Sequence, residues 1–284
     1  MSTAIQVEWL RVGSCRHLAC MAARGEALRP VDFPSYCALL RHPSRGWMLY
    51  DTGYAEHFFN ATAPLPERLY RSLLPMRLPE QECLLTQLAA RGIGCEDIGA
   101  VIVSHFHGDH VAGLRDFPKA RYIALRAESQ HLLGLRGQRW RATLQGRLPA
   151  MLPADFSQRL EHADDCPAVA LPGWMKPFEQ GLDLLGDASL LGVPLPGHSH
   201  GQLGLCIADA GGRPLLLVAD ACYSLPACRD GRLPPGPALW LSSSGARAYR
   251  QTFAGLGELA RREASLLILP SHCSQAAEAF DAAS

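Results

Sequence analysis

Ser104-His105-Phe106-His107-Gly108-Asp109-His110 sets four potential metal ligands within six consecutive positions, and its reading decides the fold. The preceding Ala100-Val101-Ile102-Val103 is apolar and β-branched, which predicts a buried strand with the histidines at its end. Ligands placed there are held by a rigid element yet open to solvent. Imidazole and carboxylate donors suit zinc first, with iron or manganese also suited; softer metals want thiolates that this run lacks. A helix cap near Asp109 would need one such residue, not four.

Two coordination spheres need more ligands than this run supplies, and three later segments offer them. Pro196-Gly197-His198-Ser199-His200-Gly201-Gln202 follows the apolar run Leu190 to Leu195. Leu215-Leu216-Leu217-Val218-Ala219-Asp220 ends an apolar strand in a carboxylate, and Leu266-Leu267-Ile268-Leu269-Pro270-Ser271-His272 ends another in a histidine. Strand ends are where layered α/β proteins gather their chemistry.

With these motifs in this order, the chain resembles the metallo-β-lactamase fold superfamily of metallohydrolases. The Asp51-Thr52-Gly53 turn after the strand Trp47 to Tyr50 matches that family too. The resemblance implies an α/β fold, a four-layer αββα sandwich formed as one domain over residues 1–284, relative to whose simplest members about 132–178 is an irregular insertion. It also implies two divalent metal ions. His105, His107 and His198 would hold the first, Asp109, His110 and His272 the second, and Asp220 would bridge them.

Within the superfamily the nearest likeness is to the N-acyl-homoserine lactonases. Asp220-Ala221-Cys222-Tyr223 carries a tyrosine three residues beyond the bridging aspartate, and Pro34-Ser35-Tyr36-Cys37-Ala38-Leu39-Leu40 resembles their amino-terminal hairpin. The likeness implies opening of a lactone with an apolar substituent by a metal-bridging hydroxide. Tyr223 would hold the tetrahedral intermediate, and Asp109 would pass a proton to the leaving alkoxide. A tyrosine after a strand also serves packing, and both readings of Tyr223 stand.

Length and charge bound the alternatives. The 284 residues suffice for one large α/β domain, and no linker divides the motifs. Lys plus Arg and Asp plus Glu number 27 each, so no basic excess suggests a nucleic-acid partner. Residues 1 to 6 have neither a basic region nor an apolar core, and no apolar run is long enough to span a bilayer. A cytoplasmic protein with a small-molecule substrate and no membrane partner is expected, with a homodimer left open. The ten cysteines form no Cys-x-x-Cys pair and most read as small core residues; Cys222 and Cys273 adjoin ligand positions, where packing is favoured over coordination.

Residues 5–13, 36–41 and 46–51 read as strands, 80–91 as an amphipathic helix with Leu84, Leu85 and Leu88 on one face, and 246–263 as a second helix. The segment 132–178 holds Trp140, Met151, Phe156, Trp174, Met175 and Phe178, which favours a cap over the site that shapes an apolar pocket, the alternative being a packing or dimer surface. Residues 54–78 would supply an opposite wall. His17, His42, His57, His131 and His162 lack a ligand-like context, while His200 either lines the pocket or is a satisfied loop histidine. Rival functions are another hydrolase on this scaffold (thioesterase, phosphodiesterase, sulfatase or β-lactamase), an iron-dependent oxidoreductase, and a binding protein derived from an enzyme.

Overall fold

Strand β5 (Ile98–Ile102) is apolar at four of its five positions, the pattern of a strand covered on both faces. In the computed structural model, which describes residues 4–236, 238, 239 and 244–283, it is a central parallel strand. It pairs with β3 (Gly46–Tyr50), placing Tyr50 opposite Ile102, and with β6 (Arg121–Ala124). The remaining strands of this sheet are β1 (Gln6–Leu18), β2 (Pro30–His42), β4 (Met76–Arg77) and β7 (Leu160–His162), in the order β4-β1-β2-β3-β5-β6-β7.

A second sheet has the order β13-β12-β11-β10-β9-β8. Its strands are β8 (Ala168–Ala170), β9 (Gln180–Asp183), β10 (Leu191–Pro194), β11 (Leu203–Ile207), β12 (Leu215–Ala219) and β13 (Leu267–Pro270). The chain divides into two compact units, one of Val7–His17 and Asp32–Glu161, the other of Met1–Gln6, Leu18–Val31 and His162–Ser284. The first sheet falls in the former, apart from a few strand ends, and the second sheet in the latter.

The unit around the first sheet carries α1 (Glu56–Ala61), α2 (Glu67–Leu73), α3 (Leu84–Ala89), α4 (Gly108–Val111), α5 (Arg126–Gly134), α6 (Arg139–Leu144) and α7 (Phe156–Arg159). Its core gathers Leu39, Leu49, Val101, Phe106, Phe117, Tyr122 and Phe156. Tyr122 stacks on Phe156 at 5.2 Å, and Phe106 meets Phe156 edge-on at 5.7 Å. The other unit carries α8 (Leu225–Arg229), α9 (Ala246–Arg262) and α10 (Ser274–Asp281). Every residue of β11 and β12 is buried.

Several elements differ from the sequence expectation. The helix expected over 80–91 is a 3-10 turn at Glu80–Glu82 followed by α3, with Cys83 extended between them. Pro79 and Glu80 carbonyls accept from Glu82 and Cys83, so the chain turns locally before the α-helical ladder begins. Leu84 and Leu88 are buried, whereas Leu85 faces solvent. Strands β1 and β2 run beyond the expected 5–13 and 36–41; in Pro30–Phe33 half-buried Val31 and Phe33 alternate with exposed Pro30 and Asp32, a period-2 apolar face that the expectation missed.

The stretch 132–178 folds into short pieces that include α6, α7, β7 and β8, and residues from His162 onward belong to the other unit. Met151, Phe156 and Met175 are fully buried, while Trp140 is 62% exposed. No described helix is long and apolar enough to cross a membrane.

Candidate metal centre

The run at 104–110 begins where β5 ends, and the side chain between two of its histidines anchors it. Phe106 is fully buried, and its N–H donates to Glu128 Oε1 at 3.3 Å. The same oxygen accepts from Arg147 Nη2 at 3.1 Å, and the Glu128 and Arg147 side chains are 1% and 6% exposed. Arg147 in turn bridges His107 through the backbone. This buried ion pair therefore holds the loop from both sides of His107.

Asp51 orders the next layer. Its Oδ1 accepts from Ser104 N at 2.7 Å; its Oδ2 accepts from Ser104 Oγ at 2.6 Å and lies 2.8 Å from His110 Nδ1. All three residues are buried. A proton on His110 Nδ1 satisfies the carboxylate and leaves Nε2 with its lone pair, the tautomer a metal ligand needs. Ser104 Oγ also lies 3.0 Å from His105 Nδ1. Since the hydroxyl proton goes to Asp51, the oxygen accepts from His105 Nδ1–H, and His105 Nε2 becomes the donor atom.

That Nε2 lies 3.0 Å from His107 Nδ1. Two imidazole nitrogens facing each other at this distance suit a shared cation, because zinc with bonds of about 2.0–2.1 Å in tetrahedral geometry sets neighbouring ligand atoms about 3.3 Å apart. Asp109 lies beside them, with its Oδ2 3.8 Å from His110 Nε2 and its carbonyl accepting from Ser35 Oγ at 2.7 Å. Its charge is the second cause, after burial, that pushes the Tyr54 hydroxyl well above the usual tyrosine range.

Backbone geometry fixes this arrangement. Asp51 has φ of 62°, a conformation that Asp tolerates better than most residues. At Gly53, φ is 64° and a Cβ would lie 2.4 Å from the Cβ of Val12, so only glycine closes the turn against β1. Thr52 N and Oγ1 both donate to the His110 carbonyl, at 2.8 and 3.0 Å, which locks the turn to α4.

In the other unit, the ends of β12 and β13 bring Asp220 and His272 together, because the two strands pair in parallel with Ala219 opposite Pro270. His272 Nε2 lies 3.2 and 3.3 Å from the two Asp220 oxygens, and His198 Nε2 lies 3.4 Å from Oδ2. These are again the separations of atoms sharing a cation. A Cβ at Gly197 would lie 2.2 Å from Tyr249 N, so His198 is presented by a loop pressed against α9. Tyr223 OH lies 3.1 Å from His198 Nδ1, and its ring tilts over His272 at 5.8 Å.

The neighbouring thiols are packing groups. A hydrogen bond with Cys228, then burial, holds the Cys222 thiol well above the usual cysteine range. Cys273 Sγ accepts from Leu225 N, and Cys228 Sγ donates to the Phe253 carbonyl.

One unit thus collects His105, His107, Asp109 and His110, and the other His198, Asp220, His272 and Tyr223. Sequence reasoning assigned no job to Asp51, Ser104, Glu128 or Arg147. For Asp51 a signal existed in the Asp-Thr-Gly turn; for Glu128 there was none.

The family model described as the metallo-β-lactamase superfamily matches residues 30–265. A probable metallo-hydrolase of Mycobacterium tuberculosis is 29% identical over 189 residues, covering 65% of this chain and 56% of the relative. An N-acyl homoserine lactonase of Rhizobium radiobacter is 28% identical over 165 residues, covering 56% and 54%. The chain spans little more than half the length of these curated relatives. Among solved structures, an N-acyl homoserine lactone hydrolase with N-hexanoyl-L-homoserine at its catalytic metal centre has a TM-score of 0.73 at 18% identity, covering 98% of this chain and 97% of that one. The dizinc lactonase AidC has a TM-score of 0.62 at 16% identity, covering 96% and 89%.

Proposed function

The chain belongs to the metallo-β-lactamase superfamily, and from that membership we propose that it is a two-metal hydrolase that opens a lactone bearing an apolar substituent. In this reading the two ligand sets would act together: His105, His107 and His198 would hold the first ion, Asp109, His110 and His272 the second, and Asp220 would serve both. Zinc is the expected metal, in keeping with the donor set and with the dizinc lactonase of similar fold. When bound, such ions supply Lewis acidity and a water of lowered pKa at neutral pH.

The observation that carries the reading is the placement of Asp51 Oδ2 2.8 Å from His110 Nδ1 and of Ser104 Oγ 3.0 Å from His105 Nδ1; a proton on each Nδ1 then leaves the opposite nitrogen as a lone pair. The remaining work falls to the chain. Water oxygen adds to the lactone carbonyl carbon, the ring C–O bond breaks, and the water proton ends on the released alkoxide. Asp109 carries that proton, and Tyr223 OH donates to the oxygen on which negative charge develops. Relatives named N-acyl homoserine lactonases and the tyrosine beside His198 support a lactone as the substrate. The stretch 132–178 borders the pocket in this reading; a Cβ at Gly146 would lie 3.4 Å from the His107 ring and 3.3 Å from Tyr70.

The test couples elemental analysis of protein purified without added metal to a hydrolysis screen. Two ions per chain and turnover of acyl-homoserine or aliphatic lactones are expected. Efficient cleavage of a thioester or phosphodiester with no lactone turnover would reassign the substrate class and leave the metal reading intact. A fully active preparation holding no metal would overturn both.

A further inference from the structure

On the unit around the first sheet, the stretches that would border the pocket also carry side chains turned outward to solvent, and these the catalytic reading does not use. Helices α2 and α6 pack together and leave their outer side chains in solvent: Leu73 and Leu144 are each 76% exposed, Trp140 62%, Leu65 57% and Leu69 49%. Arg139 Nη2 donates to the Leu65 carbonyl and pairs with Glu67, joining the start of α6 to the start of α2. Arg71 lies over the Phe59 ring at 5.8 Å and donates to the Phe59 carbonyl, extending the patch to α1.

Its charge is one-sided. Residues 56–73 and 136–147 contain six arginines and two glutamates, in a chain whose total charge is zero. Glu67 is buried against Arg139, and Arg147 is buried against Glu128. With the Arg139–Glu67 and Arg147–Glu128 pairs set aside, Arg68, Arg136 and Arg141 are exposed and Arg71 half-buried, against Glu56 alone on the acidic side of these segments.

We propose that this face seats the protein on the surface of an anionic lipid bilayer. Leucine and tryptophan side chains gain by entering the boundary between headgroups and acyl chains, and arginines pair with lipid phosphates; neither partner alone satisfies both halves of the patch. A second copy of this chain is a poor occupant, because a twofold interface would set the arginines of one copy against those of the other. The sequence expectation of no membrane partner considered only spanning segments. This surface is assembled from two segments some seventy residues apart and neither is apolar overall.

The test is co-sedimentation of the full chain with vesicles of pure phosphatidylcholine and with vesicles containing about one-third phosphatidylglycerol. Binding to the anionic vesicles is expected, strongest near 0.05 M salt and much weaker near 0.5 M as charge is screened. Each arginine near an anionic surface is worth about 1 kcal/mol, about fivefold, so Arg68→Ala with Arg141→Ala should weaken partitioning about twenty-five-fold. Leu73→Ser should weaken it with little change in salt dependence. Both variants alter exposed side chains, and unchanged circular dichroism checks their folding. No partitioning at low salt, equal binding to both vesicle types, or a dimer in sedimentation equilibrium that these substitutions dissolve would each overturn the proposal.

Discussion

His110 Nδ1 and Asp51 Oδ2 lie 2.8 Å apart with both side chains fully buried, so the carboxylate dictates which nitrogen of the ring carries the proton. Removing that control should release the metal before it unfolds the protein. Asp51→Asn keeps the shape and tolerates the backbone conformation, and it is expected to weaken metal binding about 10–100-fold in chelator competition. Asp51→Ala also strands Ser104 and His110 and should cost about 3 kcal/mol or more in denaturant unfolding. Metal affinity unchanged in Asp51→Asn would refute this account.

Asp220→Asn should lower metal content more than Asp51→Asn does, since Asp220 contacts both His198 and His272. Elemental analysis of the two variants side by side decides it. Equal retention would remove Asp220 from the bridging position.

Tyr223→Phe should leave metal content unchanged and lower kcat on a lactone about a hundredfold, the usual cost of losing a well-placed donor to a developing oxyanion. Wild-type kcat in this variant would make the tyrosine a packing residue whose hydroxyl serves only His198.

Glu128→Ala should be among the most destabilising single changes, about 3–5 kcal/mol, because it leaves Arg147 buried without its counter-charge and the Phe106 N–H without an acceptor. Glu128→Gln retains the acceptor and should cost less. Urea melts of the three proteins test the order.

Burial raises the Glu67 carboxyl, but its two-point contact with Arg139 outweighs this and holds it below the usual carboxylate range. A depressed pKa contributes stability above the unfolded value near 4.3, and that stability is lost as pH falls through the folded value. The difference in Tm between the wild type and Glu67→Gln should be present at pH 7 and absent well below about pH 4. A difference that persists in acid would show that packing alone is being measured.

The proposed ligands were legible because histidine and aspartate are costly to place after apolar strands without a use, and the strand ends themselves were marked by β-branched and leucine-rich runs. The supporting residues were not. Asp51 meets Ser104 and His110 across 53 and 59 positions of chain, through the register of β3 on β5, which no local pattern encodes. Glu128 reads as an ordinary polar position of α5, and only the fold reveals that it is buried against Arg147. The helix expected at 80–91 was misjudged for a related reason: apolar periodicity follows side chains and is blind to the backbone turn that leaves Cys83 extended.

The parallel pairing of β12 with β13 also has a kinetic side. Asp220 and His272 stand together only after a loop of some fifty residues has closed, and such non-local pairing is entropically expensive and slow. The ligands at 105–110, by contrast, come from one local turn. If the proposed ligands act together, a nascent chain would own four of the seven early and the other three last, and tight metal uptake would mark completed folding.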